Sequence, residues 1–166
     1  FAFAEFQFQF LKNNTRKFLN DVRSGYIDEI IRPMILKKAE DLVNQHREAG
    51  DSLLIITATN TFITKPIGEI FGIDELIGTD PEENLGEFTG KVKGTPSYKD
   101  GKVTRLFDWL NEKKLKLADF EKTFFYSDSH NDLALLEFVT NPVVVNGDKI
   151  LLEKAQEKNW PTLNLK

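Results

Sequence analysis

The sequence predicts an α/β protein in which a parallel sheet is covered by helices on both faces, giving three layers. Short apolar runs that are typical of strands alternate along the chain with segments whose apolar residues recur at helical spacing. This alternation favours right-handed crossovers between parallel strands. One run, SLLIITAT at 52–59, is almost continuously apolar, as expected of a strand that is buried on both faces.

The elements follow one another in a regular order. Apolar residues at helical spacing from Ile30 to Ala49 predict a helix, with Pro33 in its first turn and Gly50 at its end. The helix predicted at 101–115 is expected to turn Val103, Leu106, Leu110 and Phe107 inward. The remaining predictions are helices at 64–71, 131–139 and 148–159, strands at 74–79, 122–128, 142–146 and 161–165, and a hairpin at 86–94.

The first ten residues, FAFAEFQFQF, contain five phenylalanines. The phenylalanines partly alternate as in a strand, whereas those at positions 3, 6 and 10 fit one side of a helix, so both interpretations stay open. Such an apolar segment needs a surface to cover it. Self-association through this segment is therefore one expectation.

Length and charge limit the possible functions. The 166 residues predict one domain, with room for a small insertion. A net charge of -4 disfavours nucleic-acid and anionic-membrane partners, because no basic excess exists to neutralise phosphates. The absence of cysteine excludes disulfides and thiolate chemistry and fits a cytoplasmic protein.

Two carboxylates, Asp128 and Asp132, follow the predicted strand at 122–128. Helix capping is one explanation, since Ser127, Asp128, Ser129 and Asn131 are all good N-cap residues. A cation is the other, because two carboxylates about 6 Å apart repel by roughly 3 kcal/mol at a dielectric of 20. A helix N-terminus stabilises each negative charge by only about 0.3–1 kcal/mol, which is less than this repulsion. Oxygen ligands favour Mg²⁺, although a lysine would also serve as the cation.

Two other positions are candidates for phosphate binding. Thr57 ends an apolar run, and its hydroxyl could form an anion-binding concavity with the N–H groups of Ala58 and Thr59. A threonine at a strand end is more often structural. Lys102 begins a predicted helix, where the dipole opposes its charge, so a solvated lysine is the simpler interpretation. The alternative is that Lys102 pairs with Asp132 and a substrate phosphate.

In this order, LLIITATN, GTPSYKDGKVTRL and YSDSHNDLALL resemble the motifs of the haloacid-dehalogenase-like (HAD) phosphohydrolases, in particular the phosphoserine-phosphatase-like branch (subfamily IB). The resemblance implies a Rossmann-like sheet, Mg²⁺ and an aspartyl-phosphate intermediate. It implies that Thr57, Ala58 and Asn131 contact the phosphate. Lys102 would neutralise the phosphate, Asp128 would bind the metal, and Asp132 would hold the lysine and a metal-bound water. It gives no role to His130, for which local hydrogen bonding is expected.

The resemblance also implies that residues 1–29 are the remnant of a helical cap and that 30–166 form the core. The nucleophile and acid/base of the family form an Asp-x-Asp motif on a first, central strand, and no Asp-x-Asp occurs in these 166 residues. We therefore expect the chain alone to be inactive and to fold poorly. The intact protein would hydrolyse small phosphomonoesters such as phosphoserine or histidinol phosphate. The alternative is a catalytically incomplete phosphate- and metal-binding module. A dinucleotide-binding domain is disfavoured, because no G-x-G-x-x-G follows a strand.

Overall fold

A computed structural model describes residues 8–166. The chain divides into two compact units, one ending at Pro96 and the other running from Ser97 to Lys166. None of the helices in residues 8–166 is both long enough and apolar enough to cross a membrane.

The first unit begins with helices. Residues 8–12 are helical, and α1 (Arg16–Tyr26), a π-helical turn (Ile27–Ile31), α2 (Arg32–Met34) and α3 (Lys37–Glu48) follow. The prediction of one helix from Ile30 to Ala49 is therefore only partly right. The backbone is extended at Ile35 and Leu36 and separates α2 from α3. Gly50 follows α3 with φ +82°, as its predicted place at the end of the helix requires.

A parallel strand pair and a hairpin complete this unit. The strands β1 (Leu54–Asn60) and β2 (Glu75–Thr79) are parallel and are joined through α4 (Thr61–Ile70). The hairpin consists of β3 (Pro81–Asn84) and β4 (Glu87–Val92). It begins earlier than the predicted 86–94, because Leu85 and Gly86 both take positive φ and form the turn.

The hydrophobic core of the first unit joins the N-terminal helices to the hairpin. Its buried members are Phe8, Leu11, Leu19, Phe62 and Phe88. Phe8 is only 2% exposed, so this phenylalanine of the N-terminal segment is covered by its own unit. The helical interpretation is confirmed for residues 8–12, whereas the predictions for residues 1–7 lie outside the described part of the chain.

The second unit is built around a parallel sheet of three strands, in the order β5 (Phe124–Ser127), β6 (Asn141–Val145) and β7 (Thr162–Leu163). Its core contains Leu136, Val144, Leu151 and Ala155. Leu106 and Leu110 are buried as predicted, but Phe107 is 39% exposed, so its inward placement is wrong. The elements are α5 (Asp100–Glu112), a 3₁₀ turn (Leu117–Asp119), β5 (Phe124–Ser127), a 3₁₀ turn (His130–Asp132), α6 (Leu133–Leu136), β6 (Asn141–Val145), α7 (Lys149–Lys158) and β7 (Thr162–Leu163).

The parallel pairing predicted from the apolar runs is confirmed in both units. Within residues 8–166, β1 is hydrogen-bonded to β2 alone, and β5 is hydrogen-bonded to β6 alone. Each of these two strands therefore has one edge that no described strand pairs. Open edges of this kind leave backbone donors and acceptors without a sheet partner.

Gly78 in β2 is expected to tolerate no larger residue. A Cβ atom at this position would lie 2.7 Å from Cγ2 of Thr61 and 3.0 Å from the carbonyl oxygen of Thr59. We expect Gly78→Ala to lower the free energy of unfolding by about 1–3 kcal/mol, as measured by chemical denaturation. Gly25→Ala is the matched control. No heavy atom lies within 4 Å of a Cβ there, and alanine is expected to add about 0.5–1 kcal/mol. Equal stabilities of the two variants would contradict the prediction.

Candidate active site

The loop after β5 places Asp128 and Asp132 at the carboxyl end of the second unit's sheet. In parallel α/β folds, ligands bind at this end of the sheet. Ser127 is the last residue of β5, and its hydroxyl accepts a hydrogen bond from the Ser129 N–H at 3.1 Å. The same hydroxyl donates to Oδ2 of Asp132 at 2.7 Å. The Asp132 N–H donates to the Ser129 carbonyl at 3.0 Å. These bonds close the loop into a tight turn.

Lys102 and Asp132 form a buried ion pair. The Lys102 Nζ lies 2.6 Å from Oδ1 of Asp132, and the two side chains are 8% and 9% exposed. The interpretation of Lys102 as a solvated lysine is wrong, because the Asp132 carboxylate offsets both the helix dipole and the loss of water. Asp132 has both oxygens engaged, one by Lys102 and one by Ser127.

Tyr98 reaches Asn131 from the turn that precedes α5. Its hydroxyl donates to Oδ1 of Asn131 at 3.2 Å. The Asn131 amide nitrogen donates to the Ser129 hydroxyl at 3.1 Å, and so does its backbone N–H at 3.2 Å. The side-chain amide of Asn131 is therefore held at both ends, by Tyr98 and by Ser129. The second hydrogen of the amide nitrogen is left for another acceptor.

The capping explanation is confirmed for Ser129, one of the predicted N-cap residues, but neither Asp128 nor Asp132 caps through its side chain. Ser129, rather than Asp128 or Asp132, accepts the N–H of the following turn. Asp132 sits at the N-terminus of α6 but makes no side-chain cap bond. The expected cation beside Asp132 is Lys102, so the charge of Asp132 does not by itself require a metal ion.

Asp128 is the acid of this loop that faces solvent. No hydrogen bond or ion pair engages its carboxylate within residues 8–166, and no group of three or more acids or histidines is gathered there. The donor set still fits Mg²⁺ in its chemistry. Mg²⁺ is held by oxygen, often through one or two carboxylates, with waters and substrate phosphate completing its shell. Asp128 offers such a ligand without having to break an existing contact.

His130 and Asp148 join the loop to α7. The His130 Nδ1 lies 3.0 Å from Oδ2 of Asp148, which confirms the expected local hydrogen bonding of His130. Partial burial raises the pKa of the Asp148 carboxyl. Hydrogen bonds from the N–H groups of His130 and Leu151 and from the imidazole outweigh this effect, and the pKa falls to about 2. Asp148 is therefore ionised throughout the neutral range.

Thr57 and Ala58 lie in the first unit, where β1 leaves regular pairing with β2 between Ile56 and Asn60. The Thr57 hydroxyl accepts the Thr59 N–H at 3.2 Å, so that N–H is already used in a local turn. The Ala58 carbonyl accepts a hydrogen bond from the Thr79 hydroxyl at 2.9 Å. The meeting of Thr57 and Ala58 with Lys102 around one phosphate stays a prediction.

The second unit thus brings together Lys102, Asn131 and Asp132 next to Asp128, all of which the sequence analysis singled out. It also adds Ser127, Tyr98 and Asp148, which that analysis gave no part in the site. Of these three, Ser127 could have been predicted from the sequence, because it is a hydroxyl residue at the end of a strand. Tyr98 contacts Asn131 across 33 positions, a separation that local patterns do not reveal.

Parallel strands with a buried lysine–aspartate pair and an exposed carboxylate at the carboxyl end of the sheet are typical of α/β proteins that bind a ligand at that end. The chain belongs to the haloacid dehalogenase-like hydrolases, whose family model matches residues 2–137. The family assignment and the Rossmann-like α/β fold class predicted from the motifs are therefore confirmed.

Individual relatives agree with this assignment. A histidinol-phosphatase of Neisseria meningitidis serogroup C is 44% identical over 166 residues, covering 99% of this chain and 75% of that protein. A phosphoserine phosphatase of Mycobacterium tuberculosis is 32% identical over 133 residues, 80% of this chain but only 42% of that protein. These relatives are phosphatases, and the enzyme class is that of the phosphoric monoester hydrolases.

A solved structure has the same fold. The crystal structure of a protein with unknown function from Bordetella pertussis Tohama I superposes with a TM-score of 0.96 at 42% identity. The match covers 98% of this chain and 73% of that chain.

Proposed function

We propose that the protein is a Mg²⁺-dependent phosphatase of small phosphomonoester metabolites that works through an aspartyl-phosphate intermediate. The observation that carries the proposal is the pairing of buried Lys102 with Asp132 beside the free carboxylate of Asp128. Such a cluster suits phosphoryl transfer, in which positioning and charge stabilisation dominate catalysis.

Each residue of the cluster has a distinct proposed part. Asp128 would hold the cation, and bound Mg²⁺ would supply positive charge to the phosphoryl oxygens. Asp132 orients Lys102, whose ammonium has donors left for a phosphate oxygen after the ion pair. The fixed amide of Asn131 supplies one further N–H. The resemblance implies that Thr57 and Ala58 also bind the phosphate, as proposed for Lys102 and Asn131.

The nucleophile is proposed to lie outside the 166 residues. A carboxylate oxygen would bond to phosphorus as the ester oxygen leaves with its electron pair, and water would then release phosphate. None of the aspartates in the sequence forms an Asp-x-Asp pair. β1 and β5 each have an edge that no strand within residues 8–166 pairs, which supports a further strand as its carrier. We call the 166 residues together with this segment the intact protein.

Histidinol phosphate is the favoured substrate. The histidinol-phosphatase relative matches 99% of this chain at 44% identity, whereas the phosphoserine phosphatase matches 80% at 32%. Phosphoserine is the second candidate. The competing function is a module that binds phosphate and metal without turnover.

A phosphate-release assay of the intact protein with phosphorylated metabolites, with and without Mg²⁺, tests the proposal. We expect histidinol phosphate to give the highest kcat/KM and chelation of Mg²⁺ to abolish turnover. Substrate binding without any turnover would favour the binding module instead.

Asp128→Asn tests the assignment of the metal ligand. We expect Mg²⁺ affinity, measured by isothermal titration, to fall tenfold or more, because a neutral amide is a poorer ligand than a carboxylate. Asp108→Asn, an exposed carboxylate of α5, is the control and is expected to leave the affinity unchanged. Wild-type Mg²⁺ affinity in the Asp128 variant would reject the assignment.

A further inference from the structure

Asp148 is the N-cap of α7 and also contacts the loop after β5. Its Oδ1 accepts the Leu151 N–H at 2.9 Å, which caps the helix. Its Oδ2 accepts the His130 N–H at 2.7 Å. Its own N–H donates to the carbonyl oxygen of Asp128 at 2.8 Å. One residue therefore holds the backbone on both sides of Ser129.

We propose that Asp148 is a positioning residue that fixes the loop carrying Asp128 and Asn131, and that it thereby sets the affinity of the site for Mg²⁺. The inference rests on the proposed function, because it assumes that Asp128 binds the cation. It goes beyond that function in naming a residue from another element that controls the geometry of the ligand.

The anchor for this loop is rigid. Asp148 starts α7, whose Leu151 and Ala155 are among the most buried residues of the second unit. A close-packed core has low compressibility, so it gives the start of the helix a firm support. The Asp128 carboxylate projects from a backbone that is fixed at its own carbonyl and at the N–H two residues later.

The backbone bond, rather than the imidazole contact, is the part that positions the loop. The side chains of His130 and Asp148 are 43% and 37% exposed, and ion pairs with this exposure contribute little. The bond from the His130 N–H to the ionised carboxylate is short and charge-assisted, which makes it the stronger of the two. Removal of the imidazole should therefore matter less than removal of the carboxylate.

Asp148→Asn separates the two functions of the residue. Asparagine is as good an N-cap as aspartate, so the bond from Leu151 to the cap can persist. An amide cannot accept both N–H groups from opposite sides, since one of its ends is itself a donor. His130→Ala keeps the backbone N–H and removes only the ring. Thr15→Ala removes the N-cap of α1, where the Phe18 N–H donates to the Thr15 hydroxyl, and controls for a general loss of stability.

Two measurements on the intact protein test the inference: Mg²⁺ binding by isothermal titration, and amide hydrogen exchange of residues 128–132. We expect Asp148→Asn to weaken Mg²⁺ binding about tenfold and to speed exchange at His130 and Asn131. His130→Ala and Thr15→Ala should stay within twofold of wild type in Mg²⁺ affinity.

Unchanged loop exchange in Asp148→Asn, or unchanged Mg²⁺ affinity despite faster exchange, would overturn the inference. An equal loss of affinity in Thr15→Ala would overturn it as well, because it would trace the effect to stability. A wild-type protein that does not bind Mg²⁺ would refute the proposed function. The proposed function and the inference therefore fail on different results. If the proposed function fails, the proposed control of Mg²⁺ affinity fails with it.

Discussion

Lys102→Met in the intact protein is expected to lower the free energy of unfolding by about 3–5 kcal/mol, because it leaves the Asp132 carboxylate buried without its cation. In a chain of this size such a loss corresponds to a fall in Tm of roughly 6–20 °C, measurable by calorimetry. Phosphatase activity should be lost at temperatures at which the variant is still folded, since the proposed phosphate ligand is gone.

A second substitution tests whether Lys102→Met destabilises the protein through the unpaired Asp132 carboxylate or through lost packing. Adding Asp132→Leu to Lys102→Met removes the uncompensated carboxylate, and the double variant should be more stable than Lys102→Met alone. Lys149→Met is the surface control, because the Lys149 side chain is 89% exposed and its Nζ lies as far as 4.0 Å from Oε1 of Glu153. It should change stability by less than about 0.5 kcal/mol. If Lys102→Met is as stable as Lys149→Met, the buried pair does not have the importance assigned to it.

The 166-residue chain by itself is expected to show no turnover of p-nitrophenyl phosphate with Mg²⁺. It holds the proposed ligands for phosphate and metal but no Asp-x-Asp pair to attack phosphorus. The intact protein, assayed in parallel, is expected to be active. Substituting the first aspartate of the proposed Asp-x-Asp pair by asparagine should reduce the activity to the background rate of the short chain.

The same comparison tests the open sheet edges. The short chain should be less stable than the intact protein and more prone to associate, because β1 and β5 each have an edge unpaired by any described residue. Mg²⁺-dependent turnover by the short chain, retained after repurification, would show that a residue within the 166 acts as the nucleophile.

Most of the elements could be predicted from the sequence, and the departures have local causes. Apolar periodicity located α3, but nothing in it indicated the extended backbone at Ile35 and Leu36. The strand β3 has the sequence PEEN, which shows no apolar alternation. It is a strand because the turn at Leu85 and Gly86 returns the chain antiparallel to it.

The sequence pointed to the residues that the second unit gathers, but less so to their contacts, and the role of these residues in a site stays a prediction. The burial of Lys102 depends on a carboxylate 30 positions away, and for an isolated lysine the sequence favours exposure. In the sequence, Asp148 is recognisable as an N-cap, and its local bond to Leu151 explains it fully. Its second partner, His130, lies 18 residues away and is not indicated by the local pattern. Bonds between residues distant in the chain are set by tertiary packing, which local patterns do not encode.

The burial of the Lys102–Asp132 pair and the exposure of Asp128 make the two acids respond differently to dissolved salt. Ions in the medium screen an exposed charge over about 8–10 Å, whereas a pair enclosed by protein is screened far less. Long-range attraction of divalent ions to Asp128 would thus weaken as ionic strength rises, while the internal lysine contact persists. Under the proposed function, metal capture at Asp128 would depend on salt whereas the Lys102–Asp132 pair would not, although the two carboxylates are only four residues apart.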